Sequence, residues 1–214
     1  MATFLSAGRQ IRIDHYAPRR HTQSPAVILV HGSGGPLGGL DSFAGQAALF
    51  GVNVFVLHYF ERTSHTWVSP AQIERHFPAW LETLRDAVDF VGLQPGVDLG
   101  HIGLLGFSLG AYLSLALATQ DARAAAVAEL FGGLVEPFAA DAGKLPPILI
   151  LHGAHDRIVP VERAYELEQL LQRHRIPYEI KIYPDQGHVF QGLAQLDALR
   201  RVAAFFRKHL MKAA

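Results

Sequence analysis

The 214-residue sequence contains no cysteine. Disulfides, a thiolate nucleophile and thiolate metal sites are thereby excluded. Neither sign of charge prevails, because Lys plus Arg number 19 and Asp plus Glu also number 19. No basic field exists to attract nucleic acid or an anionic membrane surface. The short pairs Arg19-Arg20 and Arg200-Arg201 read as solvated surface. No uncharged apolar run approaches the roughly 20 residues of a membrane span. Residues 1–10 lack the basic start and apolar stretch of a secretory leader, so the expectation is a cytoplasmic protein. Repeats, low-complexity tracts and linkers are missing too. What remains is half hydrophobic and only 18% charged, the composition of a folded chain. The length fits a single domain over 1–214 that buries a core without covalent staples. Nothing in it excludes a homodimer.

The informative stretch is Gly106-Phe107-Ser108-Leu109-Gly110, of the form G-x-S-x-G. The apolar run 101–105 before it suits a buried strand, and 111–118 after it are good helix formers. A serine between such a strand and helix stands on a sharp turn that lifts its hydroxyl out of the sheet. The flanking glycines allow an approach too close for a Cβ. Ser108 is thus the candidate nucleophile. The pattern also recurs by chance in a chain with 20 glycines, so its partners carry the argument.

Read in order, residues 3–6 and 10–17 suit a hairpin about Ala7-Gly8, the second strand showing an edge pattern. Residues 26–30 and 52–57 are buried-type strands. The first runs into the Gly-rich loop His31-Gly32-Ser33-Gly34-Gly35-Pro36. Asp41 can cap a short helix with Phe43, Ala44, Ala47 and Ala48, closed by Gly51. Ser69-Pro70-Ala71-Gln72 has capping-box form. The helix after it carries Phe77, Leu81, Leu84, Val88 and Val91 inward, with a kink or restart expected at Pro78. Residues 96–100 lead into the elbow strand. Further strands are expected at 124–130, 147–152 and 178–183. A helix from Pro160 should bury Ala164, Leu167, Leu170 and Leu171, and a last one near 190–210 should bury Leu199, Val202, Phe206 and Leu210. Strands alternating with helices predict an α/β fold with a mostly parallel sheet covered on both faces. Its ligand site belongs at the carboxyl ends of the strands.

A serine hydroxyl needs a base, and the base needs a carboxylate. On such a sheet the chain order is Ser, acid, His. Asp156 follows the 147–152 strand and His188 follows the 178–183 strand, both on the expected rim. Glu129, Glu136 and Asp185 are rival acids. His152 reads as a satisfied polar residue beneath its loop, and with His155 makes a poor metal site. The oxyanion needs two N–H donors. One is Leu109, at the helix start. The other is Ser33, with Gly34 as the alternative.

With these pieces assembled, the chain resembles the dienelactone hydrolase family of the α/β-hydrolase superfamily from about residue 25 onward. The most specific part is 147–190, with His152-Gly153, Asp156, Val159-Pro160, Tyr183-Pro184 and Gly187-His188-Val189-Phe190; Phe131-Gly132-Gly133 adds to it. The resemblance implies an α/β-hydrolase fold, and the short 131–146 connection implies no large cap domain. Dienelactone hydrolases carry a cysteine where this chain has Ser108, and they hold a substrate carboxylate with arginines. Arg62 matches one of these; after His188 the other is missing, as is the family's glutamate near the first glycine loop. The expectation is therefore a serine carboxylesterase with no cofactor and no metal, acting on small uncharged or weakly acidic esters. Tyr59, Phe60, Trp67, Phe131 and Phe190 are candidate pocket walls, and Arg62 a candidate substrate ligand. A peptidase, an acyltransferase or a non-catalytic binder are the alternatives. The 59–69 loop is a candidate moving part.

Overall fold

The computed structural model describes residues 1–18, 23–36, 44–45, 47–48 and 51–211. Eight strands form one sheet: β1 (Ala2–Ser6), β2 (Arg9–Tyr16), β3 (Ser24–Val30), β4 (Asn53–Leu57), β5 (Val97–Phe107), β6 (Ala124–Leu130), β7 (Ile148–Gly153) and β8 (Tyr178–Tyr183). Their spatial order is β1-β2-β4-β3-β5-β6-β7-β8. β1 and β2 run antiparallel to their neighbours, and β3 to β8 pair in parallel. The hairpin turns on Ala7 and Gly8, both at positive φ (40° and 79°), the backbone that a two-residue type I′ turn requires.

Alternation along the parallel strands builds two apolar layers. Ile28 and Val30 of β3, with Val127 and Ile150, face α1 (Pro70–Gly92), α2 (Leu109–Ala118) and α3 (Glu162–His174). Val27 and Leu29, with Leu105, Ala128 and Leu151, face α4 (Gly192–Leu210) and Ala44. Gly103 of β5 lets α4 close in, because a Cβ there would stand 2.7 Å from the Phe206 ring. Between β6 and β7 lies only a 3-10 helix, Phe138–Lys144, so no large cap covers the strand ends. Among the described residues no helix is long and apolar enough to cross a membrane.

Several local expectations need correcting. β2 is not an edge; it lies between β1 and β4, and β1 is the outer strand. β5 starts at Val97, ahead of the expected loop end, because Val97 pairs with Ser24 before the register shifts. α1 does not restart at Pro78, which lies inside one continuous helix entered by the Ser69 N–H donating to Gln72 Oε1 at 2.8 Å. Leu199 is 38% exposed, and Ala198 and Phe205 take the inward positions on α4. Ala44, Ala47 and Ala48 are helical as expected, whereas Asp41 and Phe43 fall outside the described residues.

Candidate active site

Ser108 sits between β5 and α2 with φ 52° and ψ −118°, a conformation costly for a residue with a Cβ. Its neighbours make the turn feasible. A Cβ on Gly106 would stand 2.4 Å from the Gly110 carbonyl oxygen, and one on Gly110 would stand 2.0 Å from that of Val30. The elbow is pinned when the Ser108 N–H donates to the Leu130 carbonyl at 2.9 Å. The strained turn leaves the serine side chain part-exposed at the carboxyl edge of the sheet.

The loops after β7 and β8 bring two side chains to it. His188 Nε2 lies 3.1 Å from Ser108 Oγ. On the other side of the ring, His188 Nδ1 lies 2.7 Å from Asp156 Oδ2. A carboxylate only accepts, so Nδ1 carries the proton and Nε2 is free to accept from the serine hydroxyl. The second carboxylate oxygen, Asp156 Oδ1, accepts from the Ile158 and Val159 N–H groups at 2.8 and 2.9 Å. The two loops are pressed together at Gly153, where a Cβ would meet the Gly187 carbonyl oxygen at 2.3 Å. Of the rival acids, Glu129 is buried on β6, where it accepts from the Gly132 N–H at 2.8 Å. Burial pushes its carboxyl up to about 8, against the opposing pull of that N–H. It is Asp156 that stands on His188, not Glu129, Glu136 or Asp185.

The two amides expected to receive an oxyanion belong to Leu109 and Ser33. Leu109 is the first residue of α2, where an amide has no acceptor within its own helix. Ser33 follows Gly32, whose Cβ, if present, would stand 3.2 Å from Ser108 Cβ. The Ser33 peptide is held in place by the Val68 N–H, which donates to its carbonyl at 3.1 Å. Gly35 has φ 81° and would clash through a Cβ with the Thr66 carbonyl at 2.7 Å, so the loop folds tightly against residues 66–68.

The candidate pocket walls divide. Phe131 packs on the His188 ring at 4.7 Å and on Phe190 at 5.3 Å, and both phenylalanines are buried. Trp67 is 62% exposed and stands beside the loop that carries Ser33. Tyr59 is a correction. It has no exposed surface, and its 3-10 helix, Tyr59–Thr63, turns its ring down onto His31 at 4.3 Å. Its hydroxyl donates to the His31 carbonyl at 2.8 Å. Phe60 packs against the Trp80 ring at 5.0 Å in the same cluster. These rings support the glycine loop from beneath instead of lining a pocket. The Arg62 guanidinium pairs with Glu82 of α1 at 3.2 Å. His31, at the head of the loop, was not singled out by the sequence. Burial lowers it to about 4, with the nearby His58 adding to the shift and its bond to the Gly32 carbonyl opposing it. A neutral ring there keeps charge out of the support of the loop. Among the described residues no cluster of three or more His, Cys, Asp or Glu could hold a metal ion.

Residues 12–210 match the dienelactone hydrolase family. The chain belongs to this family. Its hydrolase relatives include a protein of Salmonella typhimurium LT2 assigned as a carboxymethylenebutenolidase, 28% identical over 106 residues. That match covers 45% of this chain and 39% of the Salmonella protein. A second relative is acyl-protein thioesterase 1 of Gibberella zeae, 33% identical over 132 residues, covering 55% of this chain and 54% of that protein. The chain therefore matches only about two fifths to one half of the length of these curated relatives. In fold it is similar to the dienelactone hydrolase-like promiscuous phosphotriesterase P91 from metagenomic libraries, with a TM-score of 0.86 at 18% identity over 97% of this chain and 96% of that one.

Proposed function

We propose that this dienelactone hydrolase family member is a serine esterase that cleaves small carboxylic esters through an acyl-enzyme on Ser108. The observation that carries the reading is the unbroken contact chain from Ser108 Oγ to His188 to Asp156, at 3.1 and 2.7 Å. In the first half-reaction His188 Nε2 takes the hydroxyl proton as Ser108 Oγ bonds to the ester carbon. The carbonyl electron pair moves onto oxygen, where the N–H groups of Leu109 and Ser33 receive it. Collapse of that intermediate expels the alkoxide, which His188 protonates. Water then repeats the sequence on the acyl group, releasing the acid and restoring Ser108. Asp156 stabilises the imidazolium and fixes which ring nitrogen carries the proton.

Serine in place of the family's cysteine, and an Arg62 engaged by Glu82, favour esters without a carboxylate handle. Thioesters are a second substrate class in range, because the fungal relative is named as a thioesterase. The test is turnover on aryl esters and thioesters graded in acyl size and charge, with Ser108→Ala as control. The proposal expects neutral short esters to lead and the variant to be inactive. Activity retained by Ser108→Ala refutes it.

A further inference from the structure

Asp156 is contacted by a second histidine that no step of the proposed reaction uses. His152, at the end of β7, is fully buried. Its Nε2 lies 2.9 Å from the Val159 carbonyl oxygen and 3.4 Å from Asp156 Oδ2. The carbonyl can only accept, so Nε2 bears the proton and donates it to Val159, with the Asp156 carboxylate oxygen beside that donor. The other ring nitrogen, Nδ1, is buried with no hydrogen-bond partner among the described residues. An orphaned buried polar atom costs about 1–3 kcal/mol, so the ring is a poor choice as mere filler. Burial lowers its proton affinity, outweighing the opposing contacts with Val159 and Asp156.

We infer that His152 is a positioning residue that shares Asp156 with His188 and sets how strongly His188 binds its proton. The inference rests on the serine esterase reading above. Asp156 Oδ2 accepts from the His188 Nδ1–H at 2.7 Å and has His152 Nε2 beside it at 3.4 Å. The positive end of the His152 N–H dipole beside that oxygen offsets part of its negative charge, so the imidazolium of His188 is held less tightly. The same N–H anchors the Val159 carbonyl, while the Val159 N–H donates to Asp156 Oδ1. One ring thereby fixes both the carboxylate and the loop that carries it. Other ionisable groups in range are Tyr112 of α2, which interacts with Asp156, Glu129, Arg163 and Glu166. His155, Arg157 and Asp185 lie outward on the two loops.

The test is kcat/KM for a neutral aryl ester against pH in wild type, His152→Phe and His152→Gln, with Ser108→Ala as reference. The acid limb reports the base of the free enzyme. Phenylalanine keeps a ring but removes the N–H, and the limb should move up by about half a pH unit or more. Glutamine retains an N–H near the position of Nε2 and should restore the wild-type limb. An unmoved limb in His152→Phe, or an equal shift in both variants, overturns the inference while the serine reading stands. Activity surviving in Ser108→Ala overturns the serine reading and the inference with it. Nitrogen-15 NMR of histidine-labelled wild type needs no variant to fold. His152 should be neutral and protonated at Nε2 at about pH 8. A charged ring, or a proton on Nδ1, contradicts the inference.

Discussion

Gly110 abuts Val30 so closely that a Cβ on it would stand 2.0 Å from the Val30 carbonyl oxygen and 2.6 Å from that of His31. The contact joins the start of α2, which carries Leu109, to the end of β3, where the Ser33 loop begins. Both atoms in the way are backbone, so no side chain can yield. Gly110→Ala should lose about 3 kcal/mol or more of stability, read by urea denaturation. A variant within about 0.5 kcal/mol of wild type would show that the elbow and loop are not locked together.

Asp156 reaches His188 through one oxygen and holds its own loop through the other. Asp156→Asn keeps an acceptor for the Ile158 and Val159 amides but turns an NH2 group toward His188, favouring the wrong tautomer. Turnover should fall on the order of 10⁴-fold with the fold retained by circular dichroism. A loss under about tenfold would move the acid to another residue.

Glu129 offers a pH prediction whose sign is fixed. Its carboxyl is raised from an ordinary 4.5 to about 8 by burial, so the folded state binds a proton that the unfolded state releases. The stabilising contribution is complete below 4.5 and is lost as pH rises to about 8, at roughly 1.4 kcal/mol per pH unit. His31, lowered to about 4 from 6.5, acts in the opposite sense, adding stability as pH rises from 4 to 6.5. The difference between wild type and Glu129→Gln isolates the glutamate. The variant should lose less stability between pH 5 and 8 than wild type in urea titrations. Identical slopes would mean that Glu129 is not protonated in the fold.

Why some of this was legible in the sequence follows from the topology. In a parallel sheet every strand ends on one rim, so a residue just past a strand is already placed. That located Ser108, Asp156 and His188 together, although they are far apart in the chain. The glycines at 106 and 110 were readable because only close backbone approach demands them. Tyr59 was not readable. An aromatic residue on a rim loop suits a pocket or a core equally, and the choice was made by a 3-10 helix that turns its ring onto His31 and Trp80. His152 does bond beneath its loop, to the Val159 carbonyl, but its approach to Asp156 was not readable, nor was the pairing of Arg62 with Glu82. Their meaning lies in a second contact, Asp156 Oδ2 at 3.4 Å and Glu82 at 3.2 Å, and the partner of a polar side chain leaves no periodic trace. The exposure of Leu199 is a matter of phase, since one residue's rotation on α4 exchanges it for Ala198.

In the proposed reaction Ser108 Oγ forms the bond to the acyl carbon. Reaction with a fluorophosphonate probe, followed by peptide mass analysis, tests it directly. A single phosphonylated peptide containing Ser108 is expected, blocked in Ser108→Ala and formed far more slowly in His188→Ala. A probe that leaves Ser108 unlabelled while ester hydrolysis proceeds would contradict it.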